Sequence, residues 1–234
     1  MTLAAFGHFK KVIYNDLDGD LVNLFRTISD ETKRQKLFKI LKWLPPSREV
    51  FEDDRRDYVK NGFSFSHIED PIERARCTFY RHAFAFGGKI RSGGFSISSG
   101  DPDRIKEVPR YRNMLRKMVT IGQTFRKVVI ENRHYSDVIK SHAHREDVVL
   151  FIDPPYYGTE NYYSRTFTRA DHAFLAEQLG AAKAKVVATY YDEPALRELY
   201  PRECWKWESI SATKNSSLIM GNKAKTNEFV ITKS

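Results

Sequence analysis

Apolar and polar positions change period along this chain, and each change marks an element. Val12 to Asp16 reads as a short strand, and behind Asp18 the residues Leu21, Leu24, Phe25 and Ile28 recur at helical spacing, which predicts a strand, a cap and a helix. From Pro45 to about Arg126 the sequence turns basic and aromatic, and helices are predicted around 47–60, 71–85 and 103–122. The last two are separated by a Gly/Ser-rich stretch, FGGKIRSGGFSISSG. From Lys127 onward strands and helices alternate, with strands at Val128 to Glu131, Val148 to Ile152, Lys185 to Tyr191, Trp205 to Ile210 and Glu228 to Thr232. A helix begins at Thr168 and carries Ala173, Leu175, Ala176 and Leu179 as a sheet-covering stripe. This alternation predicts an α/β sheet whose second half is complete and whose first half is not. The chain falls into three parts, 1–44, 45–126 and 127–234, with no internal repeat or low-complexity tract.

Composition narrows the classes. With 234 residues the chain is long enough to bury a real core as one domain with an insertion or as two small ones. A formal net charge of +9 and a pI near 9.4 suit a polyanionic partner, with binding that weakens steeply in salt, although charge alone does not establish one. Two cysteines, Cys77 and Cys204, have neither the number nor the spacing of a zinc site or a disulfide framework. The longest apolar run, Val148 to Ile152, is far too short to cross a bilayer. Lys10 and Lys11 follow the mildly apolar start, the reverse of a signal peptide's order. A soluble, cytoplasmic protein is expected, with no membrane partner.

The candidate chemistry sits in VVLFIDPPYY, Val148 to Tyr157. An adenine amino nitrogen is a poor nucleophile because its lone pair is delocalised into the ring. A catalyst must accept hydrogen bonds from the NH2 and let the nitrogen pyramidalise. Asp153 supplies a carboxylate, and the Pro154 carbonyl supplies a second acceptor on a backbone stiffened by Pro154 and Pro155, neither of which has an N–H. Tyr156 follows where an aromatic face would hold a base drawn out of its duplex. The strand delivers these residues to a carboxyl end of the sheet, where ligands of open α/β folds bind. Read blandly, the strand stops at a proline pair and turns.

Context comes from a resemblance. KVIYNDLDGDLVNLF (11–25) and VVIENRHYSDVIKSHAHREDVVLFIDPPYYGTENYY (128–163) look like segments of the phage-type, Dam-like DNA N6-adenine methyltransferases. The similarity continues through FTRADHAFLAEQL, KVVATYYDEPALRELY and KTNEFVITK, and so covers most of the chain in order. It implies methyl transfer from S-adenosylmethionine to adenine in double-stranded DNA, without a metal. It also implies a Rossmann-like class I sheet with a largely helical inserted target-recognition segment, 45–126, holding the site specificity. Asp16 would then accept hydrogen bonds from the cofactor's ribose hydroxyls. Many relatives carry an acid where this chain has His134, so that either Asp137 takes the cofactor's adenine contact or the contact is lost.

One part of the family pattern is missing. The first strand, its glycine loop and a preceding Gly-Gly-Lys element have no counterpart, and Met1 to Lys11 matches only the helix after that loop. The expectation is a sheet lacking its first strand, in which the strand at Val12 either faces a gap or closes up against the one at Val148. Weak or absent cofactor binding by this chain alone follows, through a late start, a truncated prophage remnant or a complementing chain. A non-catalytic DNA-binding remnant is therefore the alternative function. Methylation of cytosine N4 or of RNA adenine is a narrower rival.

Three further groups were weighed. Phe86 to Lys89 fails the phosphate-loop spelling and reads as a loop bringing backbone close to DNA, with Lys89 and Arg91 neutralising phosphates; a plain surface loop is the rival reading. Tyr157, Tyr162 and Tyr163 either flank DNA or pack, and packing is the commoner use of such clusters. His134, His142 and His144 lack the carboxylate or cysteine pattern that completes a metal site and read as solvated.

Overall fold

The computed structural model describes residues 8–86, 90–96, 107–157, 167–213 and 225–233, and the chain divides into two compact units, 1–134 and 135–234. In the first unit, strand β1 (Val12–Asn15) leads into α1 (Gly19–Ser29), α2 (Glu31–Trp43), α3 (Arg48–Lys60), α4 (Pro71–Phe84), α5 (Glu107–Phe125) and strand β2 (Val128–Glu131). The caps explain most boundaries. Asp18 accepts from the backbone N–H groups of Asp20 and Leu21, Ser47 from Val50, and Asp70 from Ile72 just ahead of Pro71. Asp30 ends α1 and caps α2 through Lys33, so α2 starts without a visible break; the pattern had not separated this helix.

The core of this unit is helical and aromatic, built on Leu37, Leu41, Phe51, Tyr80, Phe84 and Tyr111. It also encloses charge. Asp20 meets Arg74 at 2.7 Å, and Arg76 grips Asp54 through two bonds of 2.7 and 2.8 Å. Helix α5 runs to Phe125, beyond the end predicted at Gly122. That glycine is a contact rather than a stop: a Cβ there would lie 2.2 Å from the Ile28 carbonyl oxygen and 2.9 Å from the Arg34 side chain. The start predicted at Asp103 lies outside the described residues.

The second unit comprises α6 (Tyr135–His142), β3 (Val149–Ile152), α7 (Arg169–Gly180), β4 (Lys185–Tyr191), α8 (Pro194–Leu199), β5 (Lys206–Thr213) and β6 (Lys225–Lys233). Its sheet has the order β3-β4-β6-β5, with β3 parallel to β4 and β6 antiparallel to both neighbours. Val186, Ala188 and Tyr190 alternate into a core closed by Leu175, Ala176 and Leu179 of α7, three of the four positions of the predicted stripe; Ala173 is exposed, and His172 is buried in its place. Thr168 and Asp171 form a reciprocal cap at the start of α7.

The predicted α/β alternation is present, but as two sheets. β1 and β2 make a parallel pair in the first unit, and among the described residues no strand pairs with the other edge of β1 or of β3. Among the described residues, no helix is long and apolar enough to cross a membrane.

Candidate functional site

In each unit a candidate acid directly follows the first strand of a parallel pair. In the first unit it is Asp16, directly after β1. β1 and β2 are in register from Val12 opposite Val128 to Asn15 opposite Glu131, and asparagines lock the end of the pair. Asn15 exchanges two hydrogen bonds with the Arg133 backbone, at 2.9 and 3.0 Å, while Asn132 donates to the Asp16 carbonyl at 2.8 Å. The Asp16 carboxylate accepts from the Tyr14 hydroxyl at 2.8 Å and from the Asp18 backbone N–H at 2.9 Å, one bond on each oxygen. Tyr14 is itself held edge-on against Phe25 and Phe125, whose rings stack at 4.4 Å. Burial, and then the Asp16 charge, push the Tyr14 phenol well above its ordinary value, so it remains a donor. Each Asp16 oxygen keeps a lone pair, a pattern able to receive two hydroxyl donors.

In the second unit the corresponding acid is Asp153, after β3. Ile152 is opposite Ala188, so the next residues along, Asp153 and Thr189, are neighbours, and the Thr189 hydroxyl donates to Asp153 Oδ1 at 2.9 Å. Asp153 is exposed, and among the described residues Oδ2 receives no protein donor and the side chain makes no ion pair. Pro154 is buried and Pro155 half-buried, so the backbone that follows is anchored and presents no N–H at either residue. The Tyr156 hydroxyl donates to Glu228 on β6 at 2.6 Å, and its ring stands perpendicular to Tyr191 at 4.3 Å. Burial, and then the bond to Glu228, push the Tyr156 phenol upward. The result is an acceptor-only strand end beside an oriented aromatic ring.

The remaining candidates divide. Tyr157 packs on the buried His172 ring at 5.1 Å, with the Arg169 guanidinium 5.6 Å from its own ring. Asp137 is exposed in the first turn of α6. Lys89, Tyr162 and Tyr163 lie outside the described residues. Arg91 sits 4.0 Å over the Phe63 ring, and Phe63 holds a left-handed backbone at φ 63° after Gly62 at φ 69°. The stretch expected to be a loop has joined arms. Ala85 bridges Phe95, Phe86 N–H donates to the Gly94 carbonyl, Ser96 N–H to that of Phe84, and the buried Arg81 guanidinium to that of Ile90. A cavity in the first unit, lined in part by Asp20, Tyr58, Arg81 and His82, has room for roughly one water molecule, too little for a nucleobase.

Sequence reasoning missed Tyr14, Asn15, Asn132, Thr189 and Glu228. Tyr14 and Asn15 stand beside Asp16 in YND and were within reach. Thr189 and Glu228 are 36 and 72 residues from their partners, and only strand register brings them in.

An acid and two prolines follow the end of β3, and among the described residues one oxygen of that acid receives no protein donor. The model of the D12 class N6 adenine-specific DNA methyltransferases matches residues 1–215, and the chain belongs to that family. Members are enzymes that methylate the N6 position of adenine in DNA. No curated protein matches the chain.

Proposed function

We propose that this chain methylates adenine N6 in double-stranded DNA with S-adenosylmethionine as donor, on a Rossmann-like arrangement of its strands. When bound, the donor supplies an electrophilic methyl on a sulfonium. Asp16 fits its ribose, since both carboxylate oxygens are fixed by internal hydrogen bonds and both retain a lone pair for a vicinal diol. Asp137 is the candidate for its adenine.

Asp153 Oδ2 and the Pro154 carbonyl accept the two hydrogens of the target NH2 and hold the nitrogen for attack. Pro155 keeps that backbone rigid, and Tyr156, fixed by Glu228 and Tyr191, holds the extruded base. With the donor bound, its methyl group would pass to the nitrogen held there, and Asp153 would take the proton that the nitrogen loses. The segment 45–126 reads the target, with Lys89 and Arg91 on phosphates and Tyr157 beside the DNA. The observation carrying this reading is the Asp153 carboxylate, oriented through one oxygen by Thr189 and open at the other. Incubating the chain with methyl-labelled donor and adenine-containing duplex tests it. The wild type transfers label; Asp153→Ala loses turnover while duplex affinity stays within about twofold, because affinity comes mainly from Lys and Arg on phosphates. Methylation retained in Asp153→Ala would refute the assignment.

A further inference from the structure

Two consecutive helices of 13 residues, α2 and α3, treat solvent in opposite ways. The outer face of α3 mixes signs, with Arg55 paired to Glu52 at 3.0 Å and Arg56 paired to Asp53, the ordinary pattern of a solvated helix. Helix α2 has no such pairing. From Thr32 to Arg48 the sequence holds four lysines and two arginines and no carboxylate. One of those arginines, Arg34, is buried and donates to the Ile28 carbonyl at 2.8 Å. The lysines Lys33, Lys36, Lys39 and Lys42 are all exposed, and among the described residues none makes an ion pair. Leu37 and Leu41 face the core with 0% exposure, so the lysines occupy the opposite half of the helix.

Apolar surface lies in that cationic half. Trp43 is 75% exposed and Ile40 42% exposed, and Lys36, Lys39, Ile40 and Trp43 follow the i, i+3, i+4, i+7 spacing of one stripe. The Lys42 ammonium stands 5.3 Å from the Trp43 ring. Folding gains nothing from leaving an indole in water, and a large aromatic set among unpaired cations is the composition of an interface. The ten residues from Lys33 to Lys42 span about 13 Å of helix, facing a length of duplex with roughly eight phosphate charges.

We propose that the outer half of α2 is a second DNA contact besides Lys89 and Arg91: its lysines neutralise backbone phosphates, and Trp43 packs on the sugars between them. This rests on the DNA reading above. The test is duplex affinity by anisotropy over a range of salt, for the wild type, Lys36→Gln/Lys39→Gln/Lys42→Gln, each single Lys→Gln variant, and Trp43→Ala. The triple variant should lower the salt slope by roughly 2–3 units and each single change by about 0.9, since every phosphate contact releases about that many counterions. Trp43→Ala should weaken affinity several-fold and leave the slope intact. A wild type that ignores duplex sinks the DNA reading itself. A wild type that binds while triple and single variants keep its slope sinks the α2 contact alone. Sedimentation in which Trp43→Ala turns a dimer into a monomer would assign the face to a second copy of the chain and overturn the proposal.

Discussion

Asp16 and Asp153 are both acids closing a parallel strand, yet their surroundings differ. Asp16 is half-buried, with both oxygens engaged and its backbone fixed by Asn132 and, through Asn15, by the chain beyond β2. Asp153 is exposed and, among the described residues, receives a hydrogen bond from Thr189 only. A group that only binds gains from rigid pre-alignment, whereas one that must follow an amine as it pyramidalises needs an oxygen left open. On the proposed roles, the Asp16 side should govern donor affinity and the Asp153 side turnover.

The strongest way to break the comparison goes through the base of the Asp16 side. Asp20 is in the helix turn capped by Asp18, pairs with Arg74 and accepts from the Phe65 N–H at 2.9 Å. Asp20→Ala leaves a largely buried guanidinium without its acid and should cost about 3 kcal/mol, read as a fall in calorimetric stability. Donor affinity should fall with it; unchanged stability would show that the pair does not support this side.

Thr189→Val keeps the shape and removes the single tether of Asp153. Turnover should drop roughly tenfold, the equivalent of about 1.4 kcal/mol, with melting temperature and donor affinity unmoved. A loss confined to donor affinity would reverse the two roles. Tyr14→Phe is the milder counterpart, removing one of two bonds to Asp16 while preserving the ring packing. Donor affinity measured by titration should weaken about threefold to tenfold at unchanged saturated turnover. An equal loss of turnover would erase the distinction between the acids.

Much of this was legible before any coordinates. The acid and prolines of DPPY are local, and so are the caps at Asp18, Ser47, Asp70 and Thr168, whose side chains bond backbone groups two or three residues away. Helix α2 escaped notice because Asp30 ends one helix and caps the next, so no turn residues separate them. Gly122 was read as an end because a lone sequence shows its flexibility and not the Ile28 carbonyl against it. The Gly/Ser-rich stretch showed its turn composition but not the bonds that join Phe84 to Phe86 with Gly94 to Ser96, or that of Arg81 with the Ile90 carbonyl.

The sequence by itself determined which residues could carry amine chemistry, where most helices start and that strands and helices alternate. These properties come from side-chain type, φ restriction and capping, which act over a few residues. Only the tertiary structure decided that Thr189 and Glu228 complete the DPPY end, that Asn15 and Asn132 fix Asp16, and that the lysines of α2 share their exposed half with Trp43. The first two depend on register between segments far apart in the chain, and a hydrogen bond of that kind has no local signature in either partner; the third depends on which side of α2 the core covers.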